Sequence, residues 1–473
     1  MKIIRYCAFI CFALILLIPL LLFNFEEEAV SEIDNRNLAG SPFAPEAAEN
    51  DFTDHCESYV NDRIGLRDEM VLAYTVLNDK LFSKMVHPLY VYGSDGYVFA
   101  EGLTSSDTKF TEFHAAFADM VKEIQDYCDA RDIPFVFVFD PAKPAVLTEY
   151  IPKGINYDRS WVDDFMAALD ERGIRYVDNT ETLREKVAQG EIVFNQKYDA
   201  NHWNDLGAYY GTAAVFKELQ KDYPDIQIYS PEDFDNQPVL QTTLPVSKFP
   251  INELTPYLVP EINPNMTLQR AYGGIQLNPS YRGFGYYTND EQIDNGAPKA
   301  LVFQGSYWNK FSYRYCQNAF SEYIHVHDYQ NVIDFDYYFN IFKPDVVIFE
   351  VAEYTILSGY FDYERMCAMG LNPTLEDVLR DADIAKVECM AESMSVEQVS
   401  ALTNISWTVD GIEADYAWFY MNGVEYDMKK TETGYKVTVV TENYDLYKDD
   451  IRVFTVKGDA VTEYIFAPAQ ASE

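Results

Sequence analysis

The chain has 473 residues, 48% of them hydrophobic, which is enough to bury one large domain and a smaller one. Its formal net charge of −40 gives a surface that repels nucleic acid, anionic membranes and polyanionic glycans, so the composition argues against nucleic-acid binding. A neutral or amino-sugar polymer is the easier ligand for such a surface, although acidity also serves the solubility of a secreted protein.

The amino terminus has the pattern of a membrane anchor. Lys2 and Arg5 precede an uncharged run over residues 7–25, and three glutamates follow it. Because positive charge marks the cytoplasmic side, this asymmetry places the rest of the chain outside the cytoplasm. A cleaved signal peptide is the alternative, but no small-x-small cleavage site follows the apolar run. We predict an uncleaved, single-pass anchor at 1–25 and a tether at 26–50 that holds the protein off the membrane.

Residues 51–383 alternate between helical and strand patterns. Apolar residues at helical spacing predict helices, and short apolar runs predict strands covered on both faces. The predicted helices lie at 70–81, 110–124, 161–171, 204–219 and 310–321, and the predicted strands lie at 135–140, 174–178, 300–304, 323–327 and 346–351. This βαβα order predicts an α/β fold, a three-layer sandwich built on a parallel sheet.

A histidine in the middle of this region has the surroundings of a general base. Asp199 stands three residues before His202, and Asn204 is the predicted N-cap of the helix that follows. The positive end of a helix dipole tends to keep a nearby imidazole neutral, and a carboxylate can fix the tautomer through the other ring nitrogen.

The nucleophile for this base is predicted at Ser306. The apolar run at 300–304 ends in Gly305-Ser306, which indicates a buried strand that turns sharply and exposes a hydroxyl at its carboxyl end. Open α/β sheets place ligands at that edge. Since Gly-Ser after a strand is common by chance, the interpretation depends on the Asp-x-x-His loop in the same chain.

Two further features are candidates for ligand contacts. Lys143, just after the strand at 135–140, can bind a carboxylate or phosphate, or it can anchor its loop by an ion pair. Residues 228–298 break the βαβα pattern and are rich in Pro, Asn, Gly and Tyr, so we predict an insertion near the mouth of the site. The tyrosines of this insertion either stack on sugar rings or pack against other side chains of the protein.

Metal binding has little support in the sequence. His325 and His327 share one face of a predicted strand, but no carboxylate stands at ligand spacing beside them, which favours ordinary strand histidines over a metal pair. The seven cysteines are scattered without metal spacing and are typical of small buried residues rather than of a disulfide framework. We predict no metal and no cofactor.

The composition changes at about residue 384. Short strand patterns at 406–409, 416–420, 435–440, 451–456 and 461–466 are separated by turn signals at 410–411, 422–423 and 457–458. We predict a C-terminal antiparallel β domain over 384–473, sandwich-like in architecture. Nothing in its strands indicates glycan binding, and a packing or interaction module fits equally well.

Five motifs in order resemble the SGNH hydrolase-like proteins of the alginate O-acetyltransferase AlgX/AlgJ group, including the relatives called DHHW proteins. They are NDRIGLR at 61–67, GSDGYVF at 93–99, PAK at 141–143 with YIP at 150–152, the stretch around His202, and KPDVVIFE at 343–350. The Asp/His pair precedes the serine, as it does in that family. The resemblance implies an SGNH hydrolase-like α/β fold with Ser306 as nucleophile, His202 as base and Asp199 as the residue that orients it.

Three departures from the family pattern bear on the site. The acid stands in Asp-x-x-His instead of Asp-x-His, and Gln-Gly-Ser306 replaces the frequent Gly-Asp-Ser. The strand at 346–351 resembles the one that carries an oxyanion Asn in SGNH hydrolases, but Glu353 and Tyr354 follow it here. The candidates for oxyanion or substrate contacts are Tyr307, Lys143, Glu353 and Tyr354.

The resemblance implies an extracytoplasmic O-acetyltransferase that moves an acetyl group through an acetyl-serine onto a cell-surface or exported polysaccharide. It also implies a partner, a membrane-bound O-acyltransferase that supplies the acetyl group. If water attacks the acetyl-serine, the same site is a carbohydrate acetyl esterase. A catalytically inactive glycan-binding or assembly protein with this scaffold is the alternative from another class.

Overall fold

The structure is a computed structural model of the chain. It describes residues 2–466 apart from 27–28, 32, 34–35, 44–51, 88, 105–107, 246–248, 260–265, 390–392 and 410. Residues 44–50 of the predicted tether and Asp410 of a predicted turn therefore lie outside the described residues.

The helices of the described residues are, in chain order, α1 (Lys2–Leu21), α2 (Phe52–Arg63), α3 (Arg67–Phe82), α4 (Glu101–Thr104), α5 (Glu112–Asp129), α6 (Lys143–Val146), α7 (Ser160–Glu171), α8 (Asn179–Ala188), α9 (Asp205–Leu219), α10 (Asp290–Asp294), α11 (Tyr313–Ala319), α12 (Tyr329–Val332), α13 (Phe335–Phe342), α14 (Tyr363–Cys367), α15 (Leu375–Leu379) and α16 (Thr441–Tyr447).

The strands are β1 (Val30–Ser31), β2 (Arg36–Asn37), β3 (Tyr90–Tyr92), β4 (Val98–Ala100), β5 (Phe135–Asp140), β6 (Tyr176–Asp178), β7 (Asp235–Asn236), β8 (Val239–Thr243), β9 (Pro250–Thr255), β10 (Leu258–Val259), β11 (Met266–Leu268), β12 (Phe284–Asn289), β13 (Lys299–Gln304), β14 (Glu322–His327), β15 (Val346–Ala352), β16 (Ile384–Cys389), β17 (Met394–Val399), β18 (Leu402–Thr408), β19 (Tyr416–Met421), β20 (Val424–Asp427), β21 (Lys429–Thr431), β22 (Gly434–Val440), β23 (Ile451–Lys457) and β24 (Ala460–Phe466).

A seven-stranded sheet in the order β11-β12-β14-β13-β15-β5-β6 forms the centre of the α/β region. The pairs β14/β13, β13/β15, β15/β5 and β5/β6 are parallel, as the βαβα pattern predicts. The strands β11 and β12 extend the sheet in the antiparallel direction. Because both lie within residues 228–298, the predicted insertion is not separate from the sheet but contributes its edge.

The side chains of the central strands alternate between two apolar cores. Phe135, Phe137 and Phe139 of β5 pack with helices α5, α7, α13 and α14, whereas Val136 and Val138 pack on the other face with α8, α9 and α11. Period-two alternation in a strand covered on both faces produces this division. The arrangement is a three-layer α/β sandwich, which confirms the predicted fold class.

The C-terminal strands form two sheets in the orders β16-β24-β23-β19-β20 and β17-β18-β22-β21. One shared core joins their inner faces, with Ile405 and Trp407 contributed by one sheet and Phe419 and Val453 by the other. The predicted all-β region is therefore a β-sandwich, in which β16 pairs with β24 in the parallel direction.

The sandwich is fastened to the α/β region through Asp427. Its main chain exchanges two hydrogen bonds with the side-chain amide of Asn340, of 2.9 and 3.0 Å, and its carboxylate accepts one of 2.8 Å from the Tyr127 hydroxyl. Lys343 donates to the carbonyl of Glu425 at 2.6 Å. Since these groups are largely buried, the two parts share a specific polar interface.

The N-terminal helix α1 is long and apolar enough to cross a membrane, although a signal sequence has the same character. The chain that follows it is bound to the helix pair α2 and α3. Buried Arg63 donates to the carbonyls of Asn24, Glu26 and Ala39, and Asp62 pairs with Arg36 at 2.6 Å. The first part of the predicted tether therefore lies against the protein instead of forming a free linker, and the charges of the 61–67 motif serve this attachment.

Candidate active site

The loop that carries His202 is fixed by the start of helix α9. The side chain of Asn204, the predicted N-cap, accepts hydrogen bonds of 3.0 Å from the backbone N–H groups of Leu206 and Gly207. Trp203 is fully buried beside Gly211, where an added Cβ would lie 2.4 Å from the indole ring. The loop therefore has a rigid base from which His202 projects.

Three side chains predicted from the sequence form one chain of hydrogen bonds. His202 Nδ1 lies 2.8 Å from Asp199 Oδ1, and His202 Nε2 lies 2.9 Å from Ser306 Oγ. With Nδ1–H donating to the carboxylate, Nε2 is free to accept the serine proton. Asp199 adopts a left-handed backbone conformation with φ of 59°, and its Oδ1 also accepts from the backbone N–H of His202 at 3.1 Å.

Asp199 has a second cationic partner that sequence reasoning missed. Lys310 donates to Asp199 Oδ2, so the carboxylate lies between an ammonium and an imidazole. Burial alone would raise the pKa of Asp199, but the charges and hydrogen bonds of His202 and Lys310 outweigh burial and hold that pKa well below its usual value. The acid is therefore ionised throughout the neutral range.

Ser306 begins a helix directly after strand β13. Ser306 and Tyr307 form its first turn, a π-helical segment (Trp308–Ser312) follows, and α11 completes it. Lys310 lies in the π-helical segment. Such segments are rare and often occur at functional sites. The helix predicted at 310–321 lies where the structure has one. The sequence pattern gave no sign of the π-helical turn or of the contact between Lys310 and Asp199.

A group of buried acids lies behind the serine. Glu350 Oε2 accepts the backbone N–H of Gly305 at 2.7 Å, and Asp140 accepts from Asn179 and Trp308 at 2.7 and 3.0 Å. Burial raises the pKa of Asp140 to about 7, and burial together with Asp140 and Asp328 raises the pKa of Glu350 well above its usual value. The sequence signal for this group was that Asp140 and Glu350 each stand at the end of an apolar strand pattern.

Tyr354 is the oxyanion candidate whose side chain reaches the nucleophile. Its hydroxyl lies close enough to Ser306 to interact with it, and burial raises the pKa of Tyr354, so the phenol remains a neutral donor at physiological pH. It stands just beyond β15, where the resemblance led us to expect an Asn. A phenolic O–H can supply the same kind of donor to an oxyanion.

The side chains of Tyr307 and Glu353 do not face the nucleophile. The buried Tyr307 hydroxyl donates to the carbonyls of Asn201 and Pro141 at 2.8 and 3.1 Å, so it braces the histidine loop. Glu353 accepts from the backbone N–H of Ala142 at 3.0 Å and pairs with Arg159 at 2.9 Å. Glu353 as an oxyanion donor is a wrong prediction, since a paired carboxylate has no proton to give, and for Tyr307 only the main-chain N–H keeps that role.

Lys143 is also wrongly predicted as a ligand contact or an ion-pair partner. It is fully buried, and its ammonium donates to the carbonyls of Val98 and Gln196 at 2.8 and 3.3 Å. Burial lowers its pKa to about 7. Its role is to join strand β4 to the segment that leads into the Asp199 loop.

The remaining candidates pack with neighbouring rings. His327 stacks on Tyr281 with ring centroids 5.4 Å apart, and His325 stacks on Tyr323 at 5.3 Å. Burial lowers the pKa of both histidines to about 4. Tyr281 also packs edge-on against Tyr329. For this tyrosine of the 228–298 segment, the structure therefore shows packing against protein side chains, one of the two roles considered from the sequence. Within the described part of the chain, no three His, Cys, Asp or Glu side chains have metal-binding geometry.

Part of the chain matches a known protein family. Residues 91–246 match the SGNH hydrolase-like domain of the acetyltransferase AlgX. The resemblance inferred from the motifs, to the AlgX/AlgJ and DHHW group, is thereby confirmed. The matched AlgX-type range includes Asp199 and His202, whereas Ser306 lies beyond it. Among curated proteins, no sequence matches the chain significantly.

Solved structures of low sequence identity resemble the protein. Bacillus cereus PatB1 has 13% identity and a TM-score of 0.44, covering 55% of this chain and 95% of its own. The O-acetyltransferase domain of Pseudomonas putida AlgJ has 16% identity and a TM-score of 0.39, covering 60% and 99%. A DHHW family protein from Eubacterium siraeum has 14% identity and a TM-score of 0.40, covering 60% and 100%.

Proposed function

We propose that the protein is an extracytoplasmic O-acetyltransferase that moves an acetyl group through an acetyl-serine onto hydroxyls of a cell-surface or exported polysaccharide. The observation that carries the proposal is the hydrogen-bonded series Asp199, His202 and Ser306, with separations of 2.8 and 2.9 Å. A base within hydrogen-bond reach of a hydroxyl and oriented by a carboxylate is the arrangement that activates a serine. The AlgX-type acetyltransferase domain over residues 91–246 supports acyl transfer as the reaction class.

In the first half-reaction, Ser306 Oγ attacks the carbonyl carbon of an acetyl ester while its proton passes to His202 Nε2. The oxyanion that forms accepts hydrogen bonds from the Tyr354 hydroxyl and from the main-chain N–H groups of Ser306 and Tyr307. The ester oxygen of the donor leaves with the proton from His202. Asp199 stabilises the imidazolium between these two transfers.

In the second half-reaction, a sugar hydroxyl gives its proton to His202 and attacks the acetyl-serine. The acetyl group moves to the sugar oxygen, and Ser306 recovers its proton from the imidazolium. Water in place of the sugar would give acetate, so the difference between a transferase and an esterase lies in the exclusion of water. The charge of −40 suits a neutral or amino-sugar acceptor better than an acidic one.

The proposed setting is the outer side of a membrane that α1 crosses, with 51–383 as the catalytic region and 384–473 as an accessory β domain. The length and apolar character of α1 support this setting. The proposed acetyl donor is a membrane-bound O-acyltransferase that passes the acetyl group across the bilayer, because an anchored domain can meet such a partner at the membrane surface.

The test is acetyl-ester turnover by the full chain in detergent, with a chromogenic acetate and with neutral glycan oligomers as acceptors. We expect Ser306→Ala and His202→Ala each to lower kcat by about 10⁴-fold or more. Ser280→Ala, a serine at an exposed loop position, is the matched control and keeps full activity. Acetyl on the glycan supports the transferase, whereas release of acetate alone indicates an esterase. Turnover that survives Ser306→Ala contradicts the mechanism, and the lack of turnover with every acceptor favours a binding protein.

A further inference from the structure

Helix α3 is apolar on two opposite sides. Its inner side, with Leu72 and Val76, packs on a small core that includes Tyr90 and Val98. Its outer side carries a row of large apolar residues whose side chains are 42 to 70% exposed. This row, which we call the outer face of α3, consists of Leu66, Met70, Tyr74, Leu77, Leu81 and Phe82.

A helix that carries apolar residues on two opposite sides is normally covered on both of them. Beside the outer face, an open groove of about 620 Å³ runs between α3 and strand β3. The groove is mainly apolar, and its lining includes Met70, Tyr74, Met85 and Val86. An exposed apolar surface of this extent marks a site of contact with another molecule or with a membrane.

The end of the N-terminal span lies directly against the start of α3. The backbone N–H of Gly65 donates to the carbonyl of Pro19, in the last turn of α1, at 2.9 Å. A Cβ added at Gly65 would lie 2.4 Å from Leu22 Cβ, so only glycine allows this approach. The outer face begins one residue later, at Leu66, and is thus continuous with the point where the span ends.

The charge around α3 differs from that of the whole chain. Residues 60–90 carry four acidic and four basic side chains, whereas the chain as a whole has a net charge of −40. Lys80 and Lys84 flank the C-terminal end of the outer face. A neutral segment is not repelled by anionic lipid headgroups, and lysines beside an apolar face are typical of segments that lie in the membrane interface.

We propose that the outer face of α3 rests on the lipid bilayer, in the headgroup region next to the span formed by α1. Leu77 and Leu81 then contact the upper acyl region, and the amphipathic ring of Tyr74 lies at headgroup level. The attachment through Arg63 and Gly65 gives the span and α3 one fixed relation, so two contacts with the membrane set the orientation of the catalytic region. The proposal rests on the proposed crossing of the membrane by α1 and does not depend on the chemistry of Ser306.

This orientation bears on the histidine loop. Ala200, between Asp199 and His202, belongs to the same small core as the inner side of α3. The loop and the membrane-facing helix therefore share one small core. The proposal places the histidine loop at a fixed, short height above the lipid.

The test uses tryptophan as a depth probe in the full chain reconstituted into phosphatidylcholine vesicles, with and without dibrominated phosphatidylcholine. The native tryptophans are all buried, so they form a constant background. Leu77→Trp and, as an independent second variant, Leu81→Trp introduce probes on the outer face. The matched control is Ile293→Trp, which replaces an exposed apolar residue of α10, at the edge of the sheet opposite Ser306.

We expect the emission added by Leu77→Trp and by Leu81→Trp to be shifted to the blue and quenched by the brominated lipid. Ile293→Trp should give red-shifted emission without quenching. Emission on the outer face that is blue-shifted but not quenched would mean that protein, such as a second copy of the chain, covers this face, and it would overturn the proposal. Red-shifted, unquenched emission would overturn it as well. Neither result depends on ester turnover, so failure here is distinct from failure of the proposed function.

Discussion

Glu350 accepts the backbone N–H of Gly305 at 2.7 Å, one residue before Ser306. Burial and the neighbouring acids raise the pKa of Glu350 well above its usual value, so the group that holds the serine turn is a neutral carboxyl. Glu350→Gln keeps the shape and the acceptor, and we expect stability and turnover close to wild type. Glu350→Ala leaves a cavity and an unpaired N–H, which should cost about 2–5 kcal/mol of unfolding free energy. Thermal unfolding and ester turnover of the two variants check this, and equal losses would contradict a neutral Glu350.

The same acids surround the glycine at position 305, where the motif that this stretch resembles often has aspartate. A Cβ at position 305 would lie 3.6 Å from Asp328 Oδ2 and 3.7 Å from Glu350 Oε2, which are ordinary contacts. Gly305→Ala should therefore be tolerated with a small change in melting temperature. Gly305→Asp adds another carboxyl to a group whose pKa values burial already raises, and we expect it to lower stability by several kcal/mol at neutral pH. A Gly305→Asp variant as stable as Gly305→Ala at pH 7 would contradict this description of the buried acids.

Lys310 holds the carboxylate beside His202. Its ammonium pairs with Asp199 Oδ2 and helps to hold the pKa of that carboxyl well below its usual value. In Lys310→Met the carboxylate loses this fixed partner and can turn away from His202, so we expect kcat/KM to fall by about 10²-fold at neutral pH. Lys310→Arg keeps the charge and should keep most of the wild-type turnover. Ester turnover of the two variants measures this effect, and an unchanged kcat/KM in Lys310→Met would show that the ammonium has no influence on the site.

In the proposed mechanism, Tyr354 supplies a donor that acts on the oxyanion more than on the bound ester. Tyr354→Phe removes the hydroxyl and keeps the ring, so we expect kcat to fall by about 10²- to 10³-fold with little change in KM. Tyr307→Phe is the comparison, since its hydroxyl braces the histidine loop and its loss should lower thermal stability as well. A Tyr354→Phe variant that changes KM alone would assign the tyrosine to substrate binding.

Lys143 gives the protein a measurable pH dependence of stability. Its pKa is lowered from 10.5 to about 7 by burial, so between these pH values the unfolded chain binds a proton that the folded protein does not. Stability must then rise with pH across this window. We expect the stability difference between wild type and Lys143→Met to increase from pH 7 to pH 10 in favour of wild type. Lys221→Met, at an exposed lysine, is the control and should show no such trend.

The sequence allowed the main features of the fold to be predicted because they depend on local patterns. The alternation of Phe135–Asp140 indicates a strand covered on both faces, and the Asn204 cap marks the start of α9. The AlgX-type resemblance and the three-layer architecture followed from such signals. The edge strand β12, in contrast, contains aromatic residues that favour strands but stands in a stretch rich in Gly, Asn and Pro, which are typical of loops. Its pairing with β14 is a long-range choice that no local pattern specifies.

In the candidate site, the functional residues were easier to predict than the residues that each of them contacts. Asp199, His202 and Ser306 were selected as a base and a nucleophile, and their side chains lie within hydrogen-bond reach of each other. The contacts of Lys143 and Glu353 were wrongly predicted, because a charge at a strand end can turn either toward a ligand or into the protein. Only the packing of neighbouring elements decides between these directions.

The paired hydrogen bonds between Asn340 and Asp427 have a consequence for any shortened form of this chain. A fragment that stops before strand β16 leaves the Asn340 amide, the Tyr127 hydroxyl and the Lys343 ammonium without their acceptors on a newly exposed surface. Such a fragment also exposes the apolar residues of α13 that share a core with Leu402, and it is expected to aggregate during expression, whereas in the intact chain the C-terminal β-sandwich covers this surface.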